Sequence, residues 1–227
     1  NAVFEPGKVN FIIGMSGSGK SVLTKCIVGL FEVDKGSVQY DGRDFTKMSR
    51  KERKEIRQEI GMLFQGSALF DSLTVAENVM FPLKMFSSMS TREMESRVAF
   101  CLKRVQLDGA NHKYPSEISG GMQKRVSLAR AIYKDPKVIF FDEPTTGLDP
   151  IMANVINDLI IKVRDELGAT TITITHDMES ARKIAKEIAF LYDGSILWSG
   201  DISEMNKAEN PYLQQFINGS TQGPVTV

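Results

Sequence analysis

The residues best suited to chemistry form a short run of glycine, serine and lysine near the start of the chain, Gly14-Met15-Ser16-Gly17-Ser18-Gly19-Lys20-Ser21. The run follows an apolar stretch, Val9 to Ile13, and precedes residues that can continue as a helix. Glycines let the backbone turn so that successive N–H groups point inward at a polyphosphate, and the helix start adds its positive dipole end. In this pattern Lys20 would reach the β- and γ-phosphates and the Ser21 hydroxyl would bind Mg²⁺. The alternative is a glycine-rich connection with no ligand.

Two carboxylates, Asp142 and Glu143, end a second apolar run that starts at Val138. With a phosphate loop in the same chain, Asp142 is expected to hold the Mg²⁺ shell. Glu143 is then placed to orient and polarise a water in line with the γ-phosphate. His176 directly follows the β-branched run Thr170 to Thr175 and is predicted to lie at the same sheet edge. This position favours a catalytic role over that of an ordinary surface histidine.

A second loop of the phosphate-binding type, Ser119-Gly120-Gly121, opens another predicted helix and presents free N–H groups at its start. One nucleotide does not need both loops from a single subunit if they lie far apart. Both loops can bind nucleotide if two copies face each other, with each Gly120-Gly121 loop closing over the nucleotide of the other copy. On these residues alone, the alternative that the glycines only form a turn stays open.

The elements that must position these residues alternate between strand and helix over residues 14–66 and 136–200, which favours a mostly parallel sheet with helices on both faces. Residues 67–135 are predicted to be all-helical and are interpreted as an insertion. Within them Thr74 is expected to cap a helix reaching about Lys84, and another helix is expected from Ser90 to Gly109.

Composition excludes several classes of function. The 227 residues contain 28 Lys plus Arg and 28 Asp plus Glu, so the chain has no net basic field to attract nucleic acid. Cys26 and Cys101 lie far apart in apolar helical patterns and are expected to be reduced core residues. No apolar run approaches the roughly 20 residues that cross a bilayer, so a membrane role is expected to come through a partner. Because the chain starts at Asn1, we expect that a leading segment precedes it.

The motifs occur in the order seen in ABC-transporter ATPases, and the sequence resembles that family over nearly its whole length. The resemblance rests on the phosphate loop, Gln65, residues 118–121, Asp142-Glu143, residues 147–149 and His176. It implies an α/β phosphate-loop NTPase of the ABC-ATPase type: a mostly parallel sheet flanked by helices, an inserted helical subdomain and a small antiparallel β part. One ABC ATPase domain would then comprise a core at about 1–66 and 136–210, a helical subdomain at about 67–135 and a C-terminal tail at 211–227.

The resemblance also implies ATP and Mg²⁺ as ligands and assigns their residues. ATP contacts are expected from Gly14, Ser16, Gly17, Ser18, Gly19, Lys20, Ser21, Ser119, Gly120, Gly121 and Asp149, the last in the D-loop. Catalytic roles are expected for Gln65, Glu143 and His176, and Mg²⁺ contacts for Ser21, Gln65 and Asp142. Ser119 to Gly121 would act on the ATP of a second copy, although ISGGM replaces the common LSGGQ. The aromatic residue that stacks on adenine would lie roughly 25 residues before Gly14, outside this chain.

A narrower resemblance concerns ATPases of the maintenance-of-lipid-asymmetry (Mla) system, which drive membrane complexes that move phospholipids with lipid-binding Mce proteins. It rests on residues 61–75, 77–79, 119–122, 215–219 and 223–225. It implies a cytoplasmic ATPase at the cytoplasmic face of the inner membrane, with a permease and an Mce-type protein as partners. The alternatives are a small-solute importer, a soluble ABC protein acting on ribosomes or DNA, and a phosphate-loop kinase, which would not need residues 118–122.

Two surface segments are also predicted to bind partners. The segment from Phe64 to Phe86 mixes apolar residues with few charges and is expected to form a groove for a permease helix; the residues singled out are Leu69, Phe70, Leu73, Phe81 and Met85. Residues 218–227 cannot form a core and are expected to be disordered in an isolated subunit. Tyr212, Leu213 and Phe216 are expected to anchor this tail against a neighbouring ATPase.

Overall fold

Eight strands are present in the computed structural model, which describes residues 1–225. They are β1 (Val9–Ile13), β2 (Gln39–Tyr40), β3 (Arg43–Asp44), β4 (Ile60–Leu63), β5 (Val138–Asp142), β6 (Thr170–Thr175), β7 (Glu187–Tyr192) and β8 (Ser195–Asp201). Six of them form one sheet in the order β4-β5-β6-β1-β7-β8, parallel except for the last pair, and β2 and β3 form a separate antiparallel hairpin. The predicted fold class, mostly parallel with a small antiparallel part, is confirmed.

Nine helices are described: α1 (Lys20–Ile27), α2 (Arg50–Gln58), α3 (Val75–Phe86), α4 (Thr91–Arg104), α5 (Gly120–Ala131), α6 (Pro150–Leu167), α7 (Met178–Ile184), α8 (Ile202–Met205) and α9 (Pro211–Asn218). Within residues 1–225, no helix combines the length and the apolar character needed to cross a membrane.

The large sheet is buried on both faces because successive side chains of a strand point to opposite sides. Phe11 and Ile13 of β1 belong to one apolar cluster, and Ile12 belongs to the cluster on the other face. On β5, Phe141 and Phe140 divide in the same way. This two-sided burial fixes the strands firmly, and their carboxyl ends form a rigid edge.

Strand register brings the predicted site residues to that edge. Ile13 lies opposite Thr175, and Asp142 lies opposite Ile174. The phosphate loop, Glu143 and His176 therefore leave three neighbouring parallel strands side by side, where ligands bind in open α/β sheets.

In the stretch between residues 67 and 135, the described elements are helical. Thr74 and Ser90 start α3 and α4 as predicted, each in a capping box with the glutamate three residues later. The predicted end of α4 at Gly109 is wrong, because the helix ends at Arg104 and Gln106 adopts a left-handed conformation with φ 57°.

The C-terminal segment packs on its own chain, so the predicted disorder is wrong as far as Val225; residues 226 and 227 lie outside the described residues. Leu213 of α9 is buried, and Phe216 stacks on Phe190 of β7 with ring centroids 5.4 Å apart. The Gln215 side chain accepts from the Val225 N–H at 2.8 Å and donates to the Val225 carbonyl at 3.0 Å. A Cβ at Gly223 would lie 2.4 Å from Gln215 Oε1, so the close approach requires glycine.

The two cysteines differ in burial. Both are free thiols, as expected, and Cys101 is fully buried while Cys26 is only half-buried. Burial raises the pKa of the Cys101 thiol to about 11.

Candidate active site

A cavity of about 720 Å³ opens at the carboxyl edge of the sheet. It is lined by Met15, Ser16, Gly17, Gly19, Lys20, Ser21, Val22, Gln65, Glu143 and His176, and on one side by the C-terminal residues Gln215, Phe216, Gly219, Ser220 and Val225. The cavity thus brings together the phosphate loop and the three residues to which a catalytic role was assigned.

The phosphate loop is shaped by glycine. A Cβ at Gly14 would lie 2.2 Å from the Leu191 carbonyl oxygen, so no other residue fits there without a backbone shift. Gly19 precedes α1 in a left-handed conformation with φ 99°, and no side chain caps the first turn. The first N–H groups of α1 are therefore left to a ligand, in the arrangement that binds phosphate at a helix start.

Lys20 is buried at the start of α1, and its Nζ donates to the carbonyls of Gly14 at 2.7 Å and Met15 at 2.8 Å. Burial lowers the pKa of Lys20, while the carboxylates of Glu143 and Asp142 oppose that shift. The ammonium is held over the loop by weak neutral acceptors, which an anionic phosphate can replace.

Ser21 and Asp142 bring two side-chain oxygen atoms together next to the loop. Ser21 Oγ donates to Asp142 Oδ1 at 3.3 Å. Burial raises the pKa of Asp142, and the hydrogen bond from Ser21 opposes the shift. Among residues 1–225 there is no group of three or more His, Cys, Asp or Glu that could hold a metal by itself. The residues fit Mg²⁺, which binds through few protein oxygens together with substrate phosphates and water.

The Ser18 hydroxyl also indicates that the loop binds phosphate. Its hydroxyl is buried and has no hydrogen-bond partner among the described residues. A buried polar group without a partner is unfavourable, and a phosphate oxygen in the loop would satisfy it.

Glu143 is held firmly just beyond β5. Its N–H donates to the Ile174 carbonyl at 2.9 Å, and its backbone is left-handed with φ 50°. Oε2 accepts from the Thr146 and Thr175 hydroxyls at 3.0 and 3.1 Å, and Oε1 lies 2.9 Å from His176 Nδ1. The carboxylate is 9% exposed and the His176 side chain 60%, so Glu143 lies at the base of the cavity and His176 at its open side.

Gln65 lies two residues beyond β4, and its exposed side chain lines the cavity. Its backbone carbonyl accepts a hydrogen bond from Lys124 Nζ, which also donates to the Glu143 carbonyl at 3.2 Å. The backbones of two predicted catalytic residues are thus joined through one buried side chain.

The remaining predicted site residues do not line this cavity. Ser119 caps α5 by accepting from the Met122 N–H, and Asp149 caps α6 by accepting from two N–H groups at 3.0 Å. The two helix starts lie together, since a Cβ at Gly121 would be 2.5 Å from the Met152 side chain. The exposed residues Ser119, Gly120 and Asp149, with Gly121 buried beside them, therefore form a separate surface of the same chain.

Sequence reasoning missed several residues of the site, namely Lys124, Thr146, Thr175 and the C-terminal residues that line the cavity. Lys124 carries a signal that could have been used: it falls three residues after Gly121 and four before Leu128, on the buried face of α5. Thr175 carries no such signal, because its role depends on the approach of Glu143 from another strand.

Comparison with known proteins supplies independent evidence. The family model described as "ABC transporter" matches residues 1–146. The Haemophilus influenzae intermembrane phospholipid transport system ATP-binding protein MlaF is 37% identical over 225 residues, covering 99% of this chain and 85% of that protein. The Mycobacterium leprae probable ribonucleotide transport ATP-binding protein mkl is 37% identical over 219 residues, covering 96% of this chain. The chain spans 63% of the length of that mycobacterial relative.

A solved structure is similar to this chain in both fold and sequence. The ATP-binding cassette MJ0796, described as a dimeric post-hydrolysis state bound to ADP and Pi, superposes with a TM-score of 0.80. The two sequences are 35% identical, and the match covers 89% of this chain and 88% of that one.

Proposed function

The chain belongs to the ABC transporter family, and from this premise we propose that it hydrolyses ATP to drive a separate membrane permease. The observation that carries the proposal is the shared cavity edge, where Lys20, Ser21 and Gln65 face Glu143 and His176. Such an edge offers groups for binding a polyphosphate and groups for activating a water.

The residues of the cavity have different roles in hydrolysis: some bind phosphate or Mg²⁺, and others activate the water. The N–H groups at the start of α1 and the Lys20 ammonium hold the β- and γ-phosphates. Ser21, Asp142 and Gln65 would hold Mg²⁺, which would supply positive charge against the phosphate oxygens. Glu143 keeps a free acceptor site on its carboxylate for a water, because each carboxylate oxygen can accept two hydrogen bonds. His176, on the open side, contacts the γ-phosphate.

The ATPase acts as a dimer. Ser119, Gly120, Gly121 and Asp149 lie on a surface separate from the phosphate cavity, so a single copy leaves that cavity open on one side. A second copy, related by two-fold symmetry, brings the start of its α5 over the phosphates of the first. The similar cassette MJ0796 is described as dimeric, which supports this arrangement. Residues 67–135 then act as a helical subdomain that carries Ser119 to Gly121 toward the partner.

The permease binds the α3 patch, which we define as the exposed apolar residues Phe70, Phe81, Met85 and Phe86. Phe70 and Phe81 stack with ring centroids 4.6 Å apart, and the four side chains are between 38% and 60% exposed. Leu69, which the sequence placed in this groove, packs instead against the main apolar cluster. A helix-in-groove contact with a permease would hold the ATPase at the cytoplasmic face of the inner membrane.

The transported molecule is a phospholipid, and an Mce-type lipid-binding protein belongs to the same complex. The support is the relative named for intermembrane phospholipid transport, which this chain matches almost end to end. A small solute is the second candidate, because another relative at the same identity is named for ribonucleotide transport. Nucleic acid is not proposed as a partner, because the charge of the chain is balanced.

Two experiments test these proposals. Phosphate release from ATP should be measured for the chain and for Lys20→Met, with Lys47→Met as a control for removing an exposed lysine. We expect the unaltered chain and the control to hydrolyse ATP and Lys20→Met to lose hydrolysis; unchanged hydrolysis in Lys20→Met would overturn the site.

Purification of the native complex, followed by mass spectrometry, should find bound phospholipid. A ribonucleotide or another small solute in its place would overturn the lipid proposal in favour of the second candidate.

A further inference from the structure

Lys124 is a buried lysine whose charge has no carboxylate partner within hydrogen-bond distance among the described residues. It lies on the second turn of α5, is 5% exposed, and donates only to backbone carbonyls, those of Gln65 and Glu143. Burial lowers the pKa of Lys124, and the carboxylates of Asp142 and Glu143 oppose the shift from a distance. Burying a lysine is costly, and a methionine would fill a similar volume without that cost, so packing alone does not account for the residue.

The two carbonyls belong to segments that leave neighbouring strands. Leu63 of β4 pairs with Phe141 of β5, so Gln65 and Glu143 follow in corresponding positions just past the ends of the ladder. The strands no longer bond to each other there. The Lys124 ammonium lies between the two backbones and joins them where the ladder has ended.

The Glu143 backbone needs such support. A left-handed conformation is unfavourable for a residue with a side chain, so surrounding contacts must hold it. Glu143 has φ 50°; its N–H donates to the Ile174 carbonyl, and its carbonyl accepts from Lys124 Nζ at 3.2 Å and from the Thr146 N–H at 3.4 Å. Without Lys124 the Glu143 carbonyl would keep only the longer bond from Thr146, so the peptide and the carboxylate would be held less firmly.

We propose that Lys124 is a positioning residue that sets the backbones of Glu143 and Gln65 for hydrolysis from the helix that carries Ser119 to Gly121. The inference rests on the proposed ATPase function. The start of α5 lies at the surface proposed to meet a second copy. Lys124, one turn farther along α5, contacts the backbone of Glu143, and so links the dimer contact to the carboxylate that activates water. Dimer contact and catalytic geometry are then joined within two turns of one helix.

The test compares Lys124→Met with Arg125→Met, which removes the neighbouring cation on α5. Arg125 donates to the Gln106 carbonyl, away from the site, and so controls for a general loss of stability. We expect Lys124→Met to lower kcat for ATP by about 10–100-fold, the effect of losing hydrogen bonds from a charged group. The dissociation constant for ATP should change by less than about threefold, because the phosphate loop is untouched. Arg125→Met should keep kcat within about threefold.

A second measurement does not depend on activity. Hydrogen exchange in the nucleotide-free protein should be faster at residues 141–147 in Lys124→Met than in Arg125→Met. Wild-type kcat in Lys124→Met, or equal changes in both variants, would overturn the inference. If Lys124→Met does not fold, Lys124→Gln, which keeps a shorter donor, decides by the same two measurements. If the unaltered chain does not hydrolyse ATP, the proposed function fails, and the exchange result alone decides the positioning role.

Discussion

At the scale of single residues, strand β6 carries threonines of the same burial in very different surroundings. Thr175 and Thr173 are each 1% exposed, but Thr175 donates to the Glu143 carboxylate, whereas the Thr173 hydroxyl has no partner within residues 1–225. The difference follows from position, because only Thr175 lies where β6 reaches the cavity. The pair therefore provides a test in which the substitution and its control share one strand.

Thr175→Val should lower kcat by about tenfold, because the Glu143 carboxylate loses a hydrogen bond that holds it, while ATP binding stays unchanged. Thr173→Val should keep kcat and raise the free energy of unfolding by up to about 1 kcal/mol, since it removes an unpaired buried hydroxyl. Steady-state kinetics and urea unfolding of both variants provide the measurements. An equal loss of kcat in both would mean that β6 tolerates no valine, and the specific role of Thr175 would be wrong.

Residues of the site could be found from the sequence where a motif fixes a chemical type at a fixed spacing. Lys20 and Ser21 were identified in this way, His176 from its place after a predicted strand and Gln65 from the family resemblance, and all four line one cavity. Thr175 and Lys124 could not be identified, because their contacts join segments that are far apart in the chain. The roles assigned to these residues stay predictions until the variants are measured.

At the scale of elements, local signals were reliable where the chain encodes its own boundaries. The bounds of β1 and β6 are those of the runs Val9 to Ile13 and Thr170 to Thr175, and α6 begins at Pro150 and ends before Gly168. The end of α4 was missed because the left-handed residue after it is Gln106, and glutamine is not a residue type that favours this conformation. Order in the C-terminal segment was missed because it depends on Gln215 binding Val225 from ten residues away.

Glu59 joins three elements and makes their contact dependent on pH. Its carboxylate lies 2.9 Å from Arg43 of β3 and 3.0 Å from Lys137 before β5. The Arg43 hydrogen bond, opposed by burial and aided by Lys137, lowers the pKa of Glu59 from 4.5 to about 2. Because the folded pKa is the lower one, this stabilisation is complete above about pH 4.5 and is lost as the pH falls toward 2.

Glu59→Gln should therefore lower the free energy of unfolding at pH 7 by about 1–3 kcal/mol, the lower values reflecting solvent screening. The gap between variant and unaltered protein should shrink as the pH falls from 4.5 to 2. Thermal unfolding across that pH range is the measurement, with Glu55→Gln on the exposed face of α2 as a control. A gap that does not depend on pH would contradict the assignment.

At the scale of the whole molecule, the α3 patch is the surface proposed to meet the permease. Phe70→Asp or Met85→Asp should abolish copurification with the permease, because a charge in an apolar groove loses its solvation on binding. The isolated variants should stay folded, since Phe70 is 42% and Met85 60% exposed. Leu30→Asp, which places the same charge on a residue 56% exposed outside the patch, should copurify normally. Copurification of all three variants would exclude the patch as the docking surface.

The central claim concerns the assembled molecule: two copies close over ATP, and Glu143 of each activates the water that attacks it. Glu143→Gln keeps the size of the side chain and its contacts to Thr146 and Thr175 but removes the negative charge. The claim is tested most directly by measuring ATP hydrolysis and oligomeric state together for this variant, with Glu179→Gln as a control. We predict that Glu143→Gln binds ATP, accumulates as an ATP-bound dimer and hydrolyses ATP about 10²–10⁴-fold more slowly. Near-normal hydrolysis, or a variant that binds ATP only as a monomer, would contradict the account.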